Sequence, residues 1–554
     1  MAFQLSPGVQ VSEVDLTTVV PSVATTVGAI VGGFSWGPAK EITTISNEIQ
    51  LVDRFGKPDA NTYETFFTAA NFLSYGQDLR VIRVVGAAAK NAVANANAST
   101  VLIENRTSYE QSYSSNTSSI FNAKYAGALG NSIKISIADS NTFNSWTYSS
   151  NFDSTPATTV WASDRSSSND EMHIIVIDTN GRISGIAGTI LEKYPFVSKA
   201  SDAKNPDGSS NYYKEVINSK SKYLWWAGHM KANWGTDSSG AVSYSVMTTP
   251  FTATLSGGVD ATPSTGNTNI GYGTLANPDS IDVSLIMAGN GGATTVNYLI
   301  SIAESRKDCL VFASPLKTDC VDSVGSESAD IIATAGTYTK SSYAVMDSGW
   351  KYQYDKYNDV YRWVPLNGDI AGLCVRTDIE RDPWFSPAGL NRGIIKNVVR
   401  LAWNPTKAER DDLYKNGVNP VVSFPGEGTI LYGDKTLLNR PSAFDRINVR
   451  RLFIVLEKSI AKAARSSMFE FNDEFTRAAF VNLVEPYLRN VQGRRGIYDF
   501  KVVCDTTNNT GEVIDQNQFI GDIYIKPARS INYIQLNFTA VRTGVNFYEI
   551  VGQA

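Results

Sequence analysis

Apolar and polar residues change rhythm repeatedly along this chain, and each rhythm predicts a different element. From Val27 to Trp36 the apolar run is short and glycine-broken, which predicts a buried strand and turn. Between Thr62 and Tyr75, Phe66, Ala69, Ala70 and Leu73 recur at helical spacing, with Gly76 placed to cap the helix end. LRVIRVVG then predicts a second strand. Strand, helix and strand in this order predict an α/β layer. The pattern returns after LSGGVD, with a strand in SIDVSLIMAG, a helix over Thr294 to Arg306 and a strand in CLVFASP. That succession implies a right-handed crossover and a largely parallel sheet. An aromatic-rich hairpin follows, turning at Tyr357-Asn358-Asp359.

Between about 89 and 255 the texture differs. NAVANANAST, SSNTSS, NSWTYSSN and DRSSSND are polar, and SIKISIA, MHIIVID and YLWWAG stand between them. This predicts an exposed insertion of short strands and polar loops, in one or two subdomains. The last 150 or so residues predict an α+β unit with helices near 445–466 and 473–492. At the two ends the rhythm becomes strand-like: Val9, Val11 and Val14 near the start, and Ile534, Leu536 and Phe538 near the close. These segments are too short for cores of their own, so each predicts an extended arm that pairs with something else. The expected division is an arm over 1–20, a discontinuous α/β domain over 21–88 and 256–404, the insertion over 89–255, and an α+β domain over 405–554.

Composition narrows the function more than the fold. The 554 residues are 42% hydrophobic and 19% charged, with a net charge of -5, so several cores are possible and general nucleic-acid binding is not expected. No apolar run reaches about 18–20 residues, so no membrane insertion is expected, and no secretory leader pattern opens the chain. Cys309, Cys320, Cys374 and Cys504 form no CxxC pair and read as reduced, buried thiols. His173 and His229 are the only histidines, which leaves little for a metal site or a catalytic triad. MAGNGGATT joins a strand to a helix, as a phosphate loop would, but lacks the Walker lysine. Acidic pairs such as Asp378/Glu380 read as solvated surface. Catalytic residues, metal ligands and cofactors are therefore expected to be none.

One charged constellation stands out. At about 100° per residue, Arg451, Lys458, Lys462 and Arg465 fall within roughly 60° of one another. Val449, Leu452, Phe453, Leu456, Ile460 and Ala464 fall opposite, while Ile454 and Val455 flank the basic stripe. Apolar flanks suit a stripe that meets a partner surface, and an ordinary solvated helix face, with Glu457 and Glu474 nearby, fits the sequence equally well.

The segments SPGVQVSEVD, GGFSWGPAKEI, NEIQLVDRFGKP and NFLSYGQDLRVIRVV resemble the start of contractile-tail sheath proteins of large myophages. The resemblance continues through LSGGVD, DIAGLCVRTDIERDPWFSPAG, NGVNPVVSFPGEGTILYGDKTL, INVRRLFIVLEKSI, FKVVCDTTNN and IYIKPARSINYIQLNF. It covers the first 90 residues and nearly everything after 255; no family motif is identified in the insertion. It implies a structural subunit of a virion tail, made and assembled in the host cytoplasm, and not an enzyme. Such subunits polymerise around an inner tail tube, exchange terminal strands with neighbours, and contract to drive the tube through the host envelope. The implied partners are further copies of the chain, the tube protein, and baseplate and tail terminator proteins. The resemblance implies that the basic stripe faces the tube. Two other readings stand beside it: a bacterial contractile injection system sheath, and a virion glycan-binding protein using Tyr223, Trp225 and Trp226.

Overall fold

Short runs of aliphatic residues, apolar on both faces, build the central sheet. Seven strands lie in the order Val418–Asn419, Ala344–Asp347, Leu310–Ala313, Leu285–Met287, Gly28–Gly32, Leu79–Arg83 and Ile42–Ile45. Every neighbouring pair is parallel except the last, which is antiparallel. The computed structural model describes residues 20, 23–94, 101–114, 119–438, 440–532 and 535. They fall into two compact units, one ending at Phe469 and one starting at Glu470.

A parallel sheet needs helices on both faces, and alternation along each strand supplies a contact for each. Ile30, Val81, Met287, Phe312 and Val345 meet Phe66 and Phe72 of the helix Tyr63–Leu73 and Ile370 and Leu373 of the helix Asn367–Glu380. Ala29, Val31, Ile82, Ile286, Val311 and Met346 meet residues from Thr265–Gly273, Ala293–Arg306 and Glu327–Thr337 on the other face. The helix Asn367–Glu380 is not among the elements predicted from the sequence, and its first turns carry two glycines, residues that ordinarily weaken a helix. They act instead as a close crossing. A Cβ on Gly368 would lie 2.4 Å from the Thr68 carbonyl oxygen, and one on Gly372 would lie 2.4 Å from the Tyr75 ring. The predicted hairpin forms, with Trp350–Asp355 paired to Val360–Pro365.

Residues 89–255 hold two antiparallel sheets. One has the order Phe251–Thr254, Ile133–Asp139, Glu171–Asp178 and Thr189–Ser198; the other joins Val93–Ala94, Phe121–Ala123 and Leu224–Trp226. Ile133, Ile135, Ile137, Ile174 and Val176 pack with Phe121 and Trp226, while Ala138, Ile175 and Ile177 pack against Phe143 and Trp146. This insertion is tied to the central sheet by Arg83, at the end of its strand. The guanidinium is buried and donates to the carbonyls of Phe34, Gly37 and Ala126 at 2.9, 2.7 and 2.7 Å. Burial lowers its pKa to about 10, still well above neutrality.

Residues after 404 do not start a separate body. Val418–Asn419 pairs with Ala344–Asp347 at the edge of the central sheet, and Leu413, Val421, Leu431, Leu437 and Ile447 fill its two cores. The physical reason is that Ala344–Asp347 is apolar on both faces and cannot serve as a bare edge. The second compact unit is smaller. Its helix Glu474–Gly493 buries Phe480, Val484, Leu488 and Val491, and the hairpin Ile497–Val503/Asp522–Pro527 follows.

Replacing Arg83 by Met should cost at least about 3 kcal/mol, since three buried carbonyls lose their donor at roughly 1 kcal/mol or more each. Urea unfolding should show a lowered midpoint, and an unchanged midpoint would mean that the Arg83 link carries no stability.

Candidate functional site

The helix Ile447–Ala464 carries three of the four basic positions, Arg465 caps its C-terminal end, and the structure separates them. Arg451 is buried, with only 4% of its side chain exposed. It makes a bidentate pair with Asp378, at 2.7 and 2.6 Å, and reaches the Cys374 carbonyl at 3.4 Å. Thr25 donates to the same Asp378 carboxylate at 2.6 Å. Burial opposes the charge on Arg451, but Asp378 more than offsets it and raises the pKa. Arg451 therefore leaves the exposed stripe: it fastens this helix to Asn367–Glu380 and to the segment at Thr25. Asp378, read from sequence as solvated surface, is its buried partner. A wheel ranks directions around one helix and contains nothing of what packs there, which is why both were misread.

Lys458, Lys462 and Arg465 remain at the surface end. Lys458 pairs with Asp282, and Arg465 lies 3.3 Å from Asp279 with both side chains more than two-thirds exposed. Lys462 is exposed and makes no ion pair among the described residues. Ile454, Val455 and Ile460 are buried within the subunit. The stripe is thus shorter than expected and partly neutralised by the two aspartates before the strand Leu285–Met287. The exposed Arg465–Asp279 pair is of the kind that contributes about 0–1 kcal/mol and exchanges partners at little cost, whereas Lys458 is half-buried in its pair with Asp282.

The other candidates resolve into structure. In MAGNGGATT, Gly289 is locked to Asn367 by two hydrogen bonds of 3.2 and 2.7 Å, and Asn290 donates to Glu64. Trp225 and Trp226 are buried, their indole N–H groups held by the carbonyls of Lys124 and Gly228, so neither offers a face to a sugar. His173 is buried too: its Nδ1 accepts from the Phe196 N–H at 3.0 Å, and its Nε2 meets the Ser154 carbonyl at 2.8 Å. The four cysteines are free and buried, and burial pushes Cys309 and Cys374 up to about 12. Among the described residues no three His, Cys, Asp or Glu side chains converge as metal ligands, and no helix is long and apolar enough to cross a membrane.

The positions expected to form arms, Val9, Val11, Val14, Ile534, Leu536 and Phe538, lie outside the described residues. The hairpin Ile497–Val503/Asp522–Pro527 is described, and neither outer edge is paired among the described residues. A two-stranded sheet is marginal by itself and gains backbone hydrogen bonds when a third strand joins.

A polar cluster that sequence reasoning missed sits at the carboxyl ends of the parallel strands. Asp347 accepts from the Ser314 hydroxyl at 2.7 Å and the Gly349 N–H at 3.0 Å. Asn367 donates to the same Ser314 oxygen. Burial raises the Asp347 pKa to about 8. The unfolded chain releases this proton near pH 4. The contribution is therefore full below about pH 4 and is lost as pH rises through about 8. Asp347→Asn, which cannot ionise, should gain stability relative to the parent chain as pH increases across that window. Parallel pH–stability curves for the two proteins would contradict the assignment.

Three comparisons place the chain. Residues 25–84 match the Tail sheath protein Gp18 domain III N-terminal region, 286–437 the Phage tail sheath protein central domain, and 439–540 the Phage tail sheath C-terminal domain. The tail sheath protein of Vibrio phage KVP40 is 34% identical, aligned over 99% of this chain and all of its own length. That of Enterobacteria phage T4 is also 34% identical, over 99% of both chains. The solved sheath tail protein of Desulfitobacterium hafniense shares the fold with a TM-score of 0.54 at 13% identity, covering 94% of this chain and 100% of its own. That of Listeria innocua gives 0.53 at 13%, covering 91% and 96%. Full-length identity at this level, with three sheath domains matched in order, shows that the chain belongs to the phage tail sheath protein family.

Proposed function

We propose that this chain is the repeating mechanical subunit of a contractile tail, polymerising with itself around an inner tube and contracting to drive that tube through a host envelope. It acts through assembly and not through catalysis, and it works in the virion after being made in the host cytoplasm. The observation that carries this reading is the full-length match to phage tail sheath proteins. Two features support the way the work is divided. Both faces of the central sheet are covered within one subunit, which suits a body that moves as a rigid piece. The hairpin Ile497–Val503/Asp522–Pro527 and the strand-like ends of the chain suit β-addition between neighbours, a contact that keeps subunits linked while bodies rotate. Head-to-tail contacts of this kind propagate into helices.

Lys458, Lys462 and Arg465 are the surface we assign to the tube, without Arg451. The exposed pair of Arg465 with Asp279 and the exposed Lys462 favour a contact that forms and releases. Baseplate and tail terminator proteins would meet the two ends of the polymer.

Removing residues 1–20 should leave a folded protein that no longer forms tubes in electron micrographs, whereas the full chain does. Normal tubes from the truncated chain would remove the arms from the mechanism. Lys458→Glu combined with Lys462→Glu should reduce co-assembly with the tube protein at least tenfold while self-assembly persists; a co-sedimentation assay measures both. Equal co-sedimentation of the parent and the double variant would return these lysines to ordinary surface.

A further inference from the structure

Lys351 and Asp369 meet inside the first compact unit with both side chains 0% exposed. Lys351 lies in the strand Trp350–Asp355, and Asp369 in the first turn of the helix Asn367–Glu380. Lys351 Nζ is 2.9 Å from Asp369 Oδ1 and 2.9 Å from the Lys396 carbonyl oxygen. The Tyr75 hydroxyl donates to the same Oδ1 at 3.3 Å, and is itself held by the Lys396 N–H at 2.7 Å. Asp369 Oδ2 is buried and has no hydrogen-bond partner among the described residues.

A buried ion pair is stable only when its remaining lone pairs are satisfied. This one leaves a carboxylate oxygen bare. The chain also contains a counterpart in its insertion whose carboxylate oxygens are fully hydrogen-bonded. Lys199 and Asp139 are equally buried, with Nζ 3.0 Å from Oδ2. There the same Oδ2 also accepts from the Met247 N–H at 2.8 Å, and Oδ1 accepts from the Asn141 N–H and the Thr142 hydroxyl at 3.2 and 3.1 Å. Asp139 is thus built to be a carboxylate, and Asp369 is not. Burial raises the pKa of Asp369 and lowers that of Lys351, and both shifts favour a neutral carboxylic acid facing a neutral amine.

We propose that Lys351 and Asp369 become joined by an intramolecular amide formed within the folded chain. The Lys351 nitrogen attacks Asp369 Cγ while Tyr75 hydrogen-bonds Oδ1, where negative charge develops. The C–N bond forms and the Cγ–Oδ2 bond breaks. The proton lost by the Lys351 nitrogen passes to the Oδ2 hydroxyl of the neutral acid, which departs as water, and no oxidation or reduction takes place. Burial removes the competing water, and fixed contact replaces a bimolecular encounter. The bond would close an 18-residue loop containing the aromatic hairpin, and so fasten that hairpin to the helix over the central sheet. In a subunit that transmits force, such a tie keeps the body from opening under load.

Mass spectrometry of the purified, denatured full-length chain tests this without any variant. The expected result is a mass about 18 Da below that of the sequence, the loss of one water, and a branched peptide on digestion that links Lys351 to Asp369. The Lys199–Asp139 pair should yield only unlinked peptides. Lys351→Arg should restore the full mass. A full sequence mass with free Lys351 and Asp369 peptides would overturn the proposal, as would a water loss that maps to another position.

Discussion

The requirement that a parallel sheet be covered on both faces governs this molecule. Strands such as Gly28–Gly32 are buried throughout, so each must find apolar cover above and below. That demand draws in helices from distant parts of the sequence, Tyr63–Leu73 from one end and Asn367–Glu380 from the other. It also draws residues after 404 into the same body, through the edge strand Val418–Asn419. Once these faces are spent inside the subunit, contacts with other subunits must come from edges, ends and charged helix surfaces.

Charged groups divide along the same line. Where cover is complete, a charge survives only with a partner. Arg83 spends its donors on three carbonyls, and Arg451 is clasped by Asp378. Where cover ends, Lys458, Lys462 and Arg465 stand in or near water with weak pairs or none among the described residues. The first turns of one helix therefore fasten the subunit together, and its last turns carry charge toward solvent, the surface we propose for the tube.

Periodicity made much of this legible before any coordinates. The helix near Thr62, the strand at LRVIRVVG, the hairpin around Asn358 and the two long helices near the end all follow from spacing or turn chemistry, with bounds shifted by a few residues. The helix Asn367–Glu380 did not, because it buries polar residues among apolar ones and its glycines serve a helix crossing and not a break. The Arg451–Asp378 pair was equally hidden: its members are 73 residues apart, and each looks like surface in its own segment. The Lys351–Asp369 contact shows the same limit, since a lysine in an aromatic hairpin gives no local sign of burial. Sequence spacing describes one element at a time, whereas desolvation arises between elements.

The central claim is that rigid bodies are joined through their ends. Hydrogen–deuterium exchange, compared between free subunits and assembled tubes, addresses it most directly. Amides of the seven-stranded sheet should exchange alike in both states. New protection should appear in residues 1–19, in the carboxy-terminal stretch from 534 onward, and along the outer edges of Ile497–Val503 and Asp522–Pro527. Protection gained chiefly within the central sheet, with the ends and hairpin unchanged, would contradict it.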